Sequence, residues 1–331
     1  MSCSGTPAWG RSPKQPTTAG SWAGAPTPSA PSNSSPPGRV QRECRRALTT
    51  LGLVGLKNLP PLCDLTAPSW SGKQLRRLGE ALRDGEPVPD SGPSYGDVMA
   101  YYDDLAAAVL HLIRELDWSS LLVDRPPPEI TARAKTLTTL AEKLRRDPAT
   151  PLPSVQDIAG VRFESAMTLE EQTIVAHAIA SAFELDPATA CHDLRQSHHS
   201  GYRAVHVWLR LPQGRVEVQV RTRLQGRWAN LYEAMADLLG REIRYGEVPA
   251  EPVARQAVEA VQGISVNEIA RLELLRQSLA DQRNARTDAM GRTLGPVDPS
   301  LARAEHDVAE LERQVVEQLE AAYRALAVHR H

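Results

Sequence analysis

The chain has 331 residues, which suggests one or two domains. Its formal net charge of -2 gives no overall basic field, so bulk nucleic-acid binding is not implied, although a local basic site is compatible with it. The four cysteines are scattered with no Cys-x-x-Cys pair, which supports neither a zinc site nor a disulfide framework and fits a reducing cytoplasm. No stretch approaches about 18 consecutive apolar residues and the N-terminus lacks a continuous apolar segment, so neither a membrane span nor a secretory signal is expected.

The N-terminal segment, residues 1–40, is rich in Pro, Ser, Gly, Thr and Ala and contains no acidic residue. A segment of this composition cannot bury enough apolar surface to offset its ordering entropy. We therefore predict a disordered tail. A transit peptide and a misplaced start codon are the alternatives.

Residues 41–127 are predicted to form a helical N-terminal extension. Helices are expected at 42–53, 73–83 and 95–116, with Ser71 as a candidate N-cap for the second of them. The third carries apolar residues at helical spacing and is expected to pack on the core that follows.

Residues 128–246 alternate helical and strand patterns and are predicted to form the central domain. Strands are expected at 158–163, 205–211 and 215–221. Helices are expected at 136–146, 169–183 and 224–239, the last of them stopped by Gly240. Strands interleaved with helices predict an α/β or α+β domain with a mixed sheet.

Residues 252–328 are predicted to form a C-terminal helical hairpin. Two long periodic segments, 254–282 and 301–326, are separated by glycines and a proline. In the second segment, apolar residues recur at heptad spacing. We favour packing of this hairpin on its own domain; a dimerisation or partner-binding arm is the alternative.

The strand at 215–221 is expected to carry one polar face. Glu217, Gln219 and Arg221 alternate with valines, and period two puts these three side chains on the same side. An edge strand with one solvated face would show the same pattern without any function. Asp157, however, begins another apolar strand, where packing does not require a charge. Two carboxylates converging at strand ends are the ligands that Mg²⁺ takes when it also holds phosphates, which indicates a metal-assisted reaction on a nucleoside triphosphate.

A basic stripe is expected along the helix at 136–146. Lys135, Thr139 and Lys143 are spaced i, i+4, i+8, and Arg133 lies just before them. On a helix they would form a stripe roughly 12 Å long, which is long enough to follow a triphosphate. A solvated basic face is the alternative, and the spacing alone favours it.

Aromatic and histidine side chains extend the candidate site. Tyr202 precedes an arginine, and a tyrosine beside an arginine can stack on a purine base; a ring in the core is the alternative. His206 alternates with valines on a predicted strand and is expected to point to the polar face. His192, His198 and His199 lie in a predicted loop without a Cys or Glu companion, so zinc binding is not expected.

Four motifs together resemble the signature of RelA/SpoT-type (p)ppGpp synthetase domains. Three are Asp-Ile-Ala-Gly-Val-Arg from Asp157, Gly-Tyr-Arg-Ala-Val-His from Gly201, and Glu-Val-Gln-Val-Arg-Thr from Glu217. The fourth is similar to the nucleotide-binding loop and helix of that family, with Thr139 where serine is usual. The order and spacing of the motifs agree over about 125 residues.

The resemblance implies an α+β fold with a nucleotidyltransferase-like mixed β-sheet flanked by helices. It also implies transfer of the β,γ-pyrophosphate of ATP to the 3′-hydroxyl of GDP or GTP, giving (p)ppGpp and AMP. Carried over by position, Asp157 and Glu217 would be the catalytic carboxylates and hold Mg²⁺, and Glu217 is favoured for activating the attacking hydroxyl. The implied ATP-binding residues are Arg133, Lys135, Thr139, Lys143 and Arg162. The implied acceptor-binding residues are Tyr202, stacked on guanine, with His206, Gln219 and Arg221.

Departures from the family pattern fall mostly on the acceptor side. The Trp-Ala-Glu-x-Glu-His pattern that is usual in synthetases reads Trp-Ala-Asn-Leu-Tyr-Glu from Trp228, so Glu233 stands in the place of the histidine. His198 replaces a lysine that is common before the Gly-Tyr pair. His192-Asp193 is a lone dipeptide, so no hydrolase domain is expected, and the chain resembles a small single-domain alarmone synthetase.

These departures leave the acceptor open. Residues 228–245 look more like the toxic branch of small alarmone synthetases, which pyrophosphorylate the tRNA 3′ end or make adenosine alarmones and pair with antitoxins. Guanosine alarmone synthesis is favoured, the toxic activity is the second alternative, and a non-catalytic nucleotide-binding regulatory domain is the third. The expected location is the cytoplasm. The protein partner is expected to be a second copy of the chain, in a homo-oligomer, or an antitoxin protein.

Overall fold

The computed structural model describes residue 65 and residues 67–88, 90–196, 200–286 and 298–328. The tail predicted at 1–40, the helix predicted at 42–53 and the candidate residues His198 and His199 lie outside the described residues. Within the described ranges, none of the helices combines the length and the apolar character that a membrane crossing needs.

In the described part of the chain, two α-helices precede the sheet: α1 at Gly72–Asp84 and α2 at Tyr95–Arg114. Ser71 caps α1 as predicted, because its hydroxyl accepts a hydrogen bond from the backbone of Gln74 while the Gln74 side chain accepts from the Ser71 backbone. A reciprocal capping box of the same kind starts α2. The start of each helix is therefore fixed by hydrogen bonds between a capping serine and the third helical residue.

The sheet has five strands in the described chain: β1 at Glu129–Ala134, β2 at Ala159–Ser165, β3 at Cys191–Asp193, β4 at Val205–Leu211 and β5 at Gly214–Thr222. Their order is β1-β2-β5-β4-β3. The β2–β5 pair is parallel and the other pairs are antiparallel, so the sheet is mixed. Because β5 lies between β2 and β4, the polar alternation on that strand is not that of a solvated edge strand. The predicted α+β fold, a mixed sheet flanked by helices, is confirmed.

Seven further helices follow in chain order within the described ranges. They are α3 at Leu137–Arg146, α4 at Leu169–Ala182, the short α5 at Pro187–Ala190, α6 at Arg223–Leu239, α7 at Pro252–Gly263, α8 at Ala270–Ala285 and α9 at Pro299–Val328. A π-helical turn at Ile264–Ile269 joins α7 to α8, and a 3₁₀ turn at Arg241–Tyr245 follows α6. Gly240 ends α6 as predicted, with a φ of 107° that favours glycine.

The apolar face of the sheet forms the first core. Val161 and Phe163 of β2 and Val218 of β5 are fully buried there, together with apolar residues of α2 and α4 such as Leu105 and Ile179. Burial of each such side chain contributes roughly 1.5–3 kcal/mol before the entropy of ordering is subtracted. This core fixes the sheet, and with it the strand ends that carry the polar motifs.

The C-terminal helices build a second core against α6. Trp228 of α6, Leu272 of α8, and Val315 and Leu319 of α9 are buried in one cluster. The heptad face of α9 thus packs on α6 and α8 of the same chain.

The opposite face of the sheet is polar, and α6 packs over it. Gly226 allows the close approach, because a Cβ at this position would lie 2.1 Å from an oxygen of the Glu164 carboxylate on β2. This packing brings Glu233, two turns further along α6, above the strands that carry the candidate site.

Candidate active site

A cavity of about 270 Å³ opens on the polar face of the sheet. Its wall is formed by β1, α3, β2, β5, α6 and the 3₁₀ turn at Arg241–Tyr245. Seven of the lining side chains are basic and four are acidic. The cavity therefore carries a positive charge excess, which suits a polyanionic ligand.

Asp157 is held by two lysines at one side of this cavity. The Nζ atoms of Lys135 and Lys143 lie 2.9 Å and 2.6 Å from its two carboxylate oxygens. The predicted helical stripe is wrong for Lys135, because α3 begins only at Leu137 and extended Thr136 is its N-cap. Lys135 instead approaches Asp157 from the connection between β1 and α3.

Thr139 also lines the cavity, from the first turn of α3. Its hydroxyl donates to the Thr136 carbonyl at 2.9 Å, and the two threonine hydroxyls lie 3.0 Å apart. The start of α3 therefore presents a hydroxyl group to the same space as the lysine on its second turn.

Glu217 is the buried carboxylate of the site, with 7% of its surface exposed. Gln219 Nε2 donates to Oε1 at 2.9 Å, and Trp208 Nε1 donates to Oε2 at 3.3 Å. Nδ1 of His206 lies 3.2 Å from Oε2. Burial alone would raise the pKa of Glu217, but His206, Gln219 and the more distant Lys143 outweigh it and lower this pKa to about 2. The carboxylate is therefore ionised throughout the ordinary pH range.

Tyr202, His206 and Arg221 form a cluster beside Glu217. The Tyr202 hydroxyl lies 2.8 Å from His206 Nε2 and accepts from Arg221 Nη2 at 3.0 Å. Arg221 also donates to Gln219 Oε1 at 2.6 Å, which connects the tyrosine to Glu217 through two side chains. Tyr202 is half-buried, and none of the three lines the cavity itself.

The charges of this cluster are coupled. Burial alone would lower the pKa of His206, yet the neighbouring Tyr202 and Glu217 outweigh it and raise this pKa to about 9. Burial alone would raise the pKa of Tyr202, but Arg221 and His206 outweigh it, so the pKa of the phenol is lowered.

Glu233 bridges two arginines above the strands. Its carboxylate oxygens lie 3.0 Å from Arg133 of β1 and 3.0 Å from Arg162 of β2. Burial would raise the pKa of Glu233, but Arg162 and Arg133 outweigh it and lower this pKa. Glu233, which departs from the family pattern, is thus ionised and forms salt bridges with two of the predicted ATP-binding arginines.

Further cavity residues were not identified from the sequence. Arg146 ends α3, and its guanidinium lies 3.7 Å from the ring centroid of Tyr245. Arg241 pairs with Glu142 at 3.2 Å, and Arg244 lines the same wall. The sequence signal for these residues was the clustering of arginines at the end of α3 and after Gly240, beyond the four recognised motifs.

The predicted site residues divide into two groups in the structure. Those that line the cavity are Asp157, Glu217, Arg133, Lys135, Thr139, Lys143, Arg162 and Gln219. Those in the adjoining cluster are Tyr202, His206 and Arg221. Among the described residues, no three His, Cys, Asp or Glu side chains form a group that could hold a metal ion. Asp157 and Glu217 are the predicted metal ligands that line the cavity.

Comparison with known proteins agrees with this arrangement. A family model described as a region found in RelA / SpoT proteins matches residues 132–236, which include most of the cavity wall. Uncharacterised proteins of Mycobacterium bovis and Mycobacterium tuberculosis are 50% identical to the chain over 210 residues, which is 63% of this chain and 71% of each relative.

The chain is also similar to solved structures. The small alarmone synthetase 1 from Bacillus subtilis has 18% sequence identity and a TM-score of 0.43, covering 58% of this chain and 98% of its own. A GTP pyrophosphokinase family protein from Streptococcus pneumoniae has 17% identity and a TM-score of 0.41, covering 57% of this chain and 93% of its own. On the match over residues 132–236 and the extent of its similarity to the mycobacterial relatives, the chain belongs to the RelA/SpoT family.

Proposed function

We propose that this protein is an ATP-dependent pyrophosphotransferase that moves the β,γ-pyrophosphate of ATP to the 3′-hydroxyl of GDP or GTP, giving (p)ppGpp and AMP. One observation carries the proposal. A cavity with a positive charge excess contains Asp157 and the ionised Glu217, and both belong to the region that matches the RelA/SpoT model.

Binding of ATP is assigned to the basic side of the cavity. Lys135 and Lys143 both pair with Asp157, so their ammonium groups lie close together. We propose that they bind phosphate oxygens of ATP in place of this carboxylate. Arg133 and Arg162, on neighbouring strands, offer planar guanidinium groups for the adenine and its adjacent phosphate. Thr139 contributes a hydroxyl at the start of α3.

The residues present fit Mg²⁺. Carboxylate oxygens are its preferred protein ligands, and it commonly takes only one or two of them together with substrate phosphates and water. Asp157 and Glu217 meet this need because both line the cavity and Glu217 is ionised at ordinary pH. When bound, Mg²⁺ would neutralise charge on the phosphate oxygens around the transferred group.

In the transfer step, the acceptor 3′-oxygen forms a bond to the β-phosphorus of ATP. The bond between that phosphorus and the oxygen bridging to the α-phosphate breaks, and AMP leaves with the bridging oxygen. Such transfers need positioning and charge stabilisation more than a strong base. Glu217, whose pKa is about 2, is therefore proposed to accept a hydrogen bond from the 3′-hydroxyl and orient it, with the proton leaving on the transferred phosphate or to solvent.

The acceptor is proposed to enter on the side of Gln219, which lines the cavity and is linked to the Tyr202 cluster. Its guanine is proposed to stack on Tyr202, with His206 and Arg221 holding the ring through its hydroxyl.

A second candidate acceptor is the 3′ end of tRNA. Arg146, Arg241 and Arg244 make one wall of the cavity basic, and Tyr245 beside them is 54% exposed. Basic groups interleaved with an exposed aromatic ring suit a single-stranded nucleic acid end.

An acceptor panel distinguishes these functions. Purified protein is incubated with Mg²⁺ and ATP labelled on the γ-phosphorus, with GDP, GTP, ATP alone or deacylated tRNA as acceptor. Label on a guanine nucleotide supports the main proposal. Label on tRNA alone, or only on a new adenine nucleotide other than the donor ATP, supports the toxic activity. No label on any acceptor, with ATP binding intact, would indicate a nucleotide-binding regulatory domain.

A further inference from the structure

We propose that Glu273 of α8 is a positioning residue that fixes the loop at 201–203 and the start of α6, so that the C-terminal helices set the geometry of the acceptor side. The inference rests on the proposed function because this loop carries Tyr202, to which we assign the acceptor base. It goes beyond that function by giving the helices after the family region a part in the reaction.

Glu273 is almost completely buried, with 2% of its surface exposed. A carboxylate at this depth is costly unless it is paired and hydrogen-bonded. Its Oε2 accepts from Arg203 Nη2 at 2.7 Å. Its Oε1 accepts from the Thr222 hydroxyl at 2.7 Å and from Gln225 Nε2 at 2.8 Å. One carboxylate therefore joins the loop, the end of β5 and the first turn of α6.

A second tie lies on the other side of Tyr202. The hydroxyl of buried Ser265, in the π-helical turn, donates to the Gly201 carbonyl at 2.5 Å. Gly201 has a φ of 79°, and a Cβ here would lie 3.1 Å from the Trp228 ring and 3.3 Å from the Gln262 carbonyl oxygen. The two neighbours of Tyr202 in the chain are thus both anchored to the segment that ends at Glu273.

The residues tied to Glu273 lead directly to the site. Thr222 ends β5 and caps α6, and Gln225 completes that capping box. From Tyr202, hydrogen bonds run through Arg221 and Gln219 to Glu217. Glu273 does not line the ATP cavity. Substitution of Glu273 is therefore expected to weaken acceptor binding while leaving ATP binding intact.

The substitution Glu273→Gln tests the role because it keeps the shape of the side chain and removes its charge. A glutamine also presents an NH₂ group to one of three donors, so at least one hydrogen bond is lost. Arg203→Lys is the second variant, because it leaves Glu273 charged and bonded to Thr222 and Gln225 and so spares the α6 junction. Glu259→Gln, on the exposed face of α7, is the matched control.

Two readouts are measured on the full chain. The first is the KM for ATP and for the acceptor identified by the panel; the second is backbone hydrogen exchange of residues 200–204 without ligands. We expect Glu273→Gln and Arg203→Lys to raise the acceptor KM about tenfold. We expect the KM for ATP to stay within about twofold. Exchange at 200–204 should quicken in both variants and remain unchanged in the control.

Equal rises in both KM values would overturn the proposal, as would unchanged exchange at 200–204 in either folded variant. If the wild-type chain transfers label to no acceptor, the proposed function fails by itself. The exchange experiment then still decides whether Glu273 holds the loop. If Glu273→Gln does not fold, Glu273→Asp, which keeps the charge but is too short to reach all three donors, replaces it in both measurements.

Discussion

Neutralising Glu233 should tighten the binding of ATP. In the ligand-free protein this carboxylate pairs with Arg133 and Arg162, both of which are assigned to ATP. Glu233→Gln keeps the shape and a hydrogen-bond acceptor but removes one negative charge from the cavity wall. The nucleotide then no longer has to displace an ion pair from either arginine.

The size of the effect depends on the distance between Glu233 and a bound phosphate. Because Glu233 lines the cavity, this distance is on the order of 8 Å. At about 8 Å, with an effective dielectric between about 20 and 80, two unit charges interact by roughly 0.5–2 kcal/mol. Removing the repulsion between Glu233 and one phosphate charge should therefore lower the Kd for ATP by about two- to thirtyfold.

The assay is calorimetric titration of a non-hydrolysable ATP analogue into wild type and Glu233→Gln at low and moderate salt. The gain should shrink as salt increases, because screening weakens the interaction between exposed charges. Glu142→Gln is the control for charge alone, since Glu142 also lines the cavity but pairs with Arg241 instead. Weaker binding by Glu233→Gln would refute the reasoning and indicate that Glu233 holds the arginines in their binding geometry.

Two further predictions concern stability. Gly226→Ala should lower the free energy of unfolding by about 1 kcal/mol, because its Cβ would displace the Glu164 carboxylate, the end of a flexible side chain, from its pair with Arg221, whereas Gly72→Ala has open space and should cost less. The pKa of His206 is raised from 6.5 to about 9 in the folded protein, so protonation of His206 stabilises the fold fully below pH 6.5. This contribution is lost as pH rises to about 9. Urea unfolding of the ligand-free protein should therefore show stability falling across this window, and a flatter profile in His206→Gln.

One result for each variant would contradict these two stability predictions. Equal losses in the two glycine variants would contradict the contact between Gly226 and the Glu164 carboxylate. A His206→Gln variant with the same alkaline decline as wild type would assign the decline to another group.

Local pattern was sufficient to predict the elements that carry the main motifs. The period-two alternation around Glu217 predicted a strand with one polar face, and β5 has that face. The buried strand after Asp157 was predicted at 158–163 and is found as β2. Both signals are strong because apolar side chains on one face of a buried strand must alternate regularly.

Elements with weaker patterns were missed. Residues 129 and 131–133 of β1 are exposed and Ile130 is buried, so this part of the sequence shows no clear alternation. It is a strand because it pairs with the free edge of β2, which is a tertiary effect. The i, i+4, i+8 spacing predicts a helical position for Lys135, because spacing alone does not reveal that Thr136 caps α3 from an extended conformation.

The cavity wall could be predicted only in part for the same reason. Glu233 lies 100 residues from Arg133 and 71 from Arg162 in the chain, and the fold of α6 over the sheet brings them together. Arg241 similarly reaches Glu142 from 99 residues away. Periodicity carries no information about pairs at such separations.

The most direct test of the account is the identity of the nucleotide released from ATP. With ATP labelled on the β-phosphorus and a competent acceptor, we expect AMP to form mole for mole with labelled acceptor. Asp157→Asn and Glu217→Gln should each slow this reaction by about a hundredfold or more while keeping the wild-type fold by circular dichroism. Release of ADP with unlabelled acceptor, or wild-type rates in both variants, would contradict pyrophosphate transfer at this site.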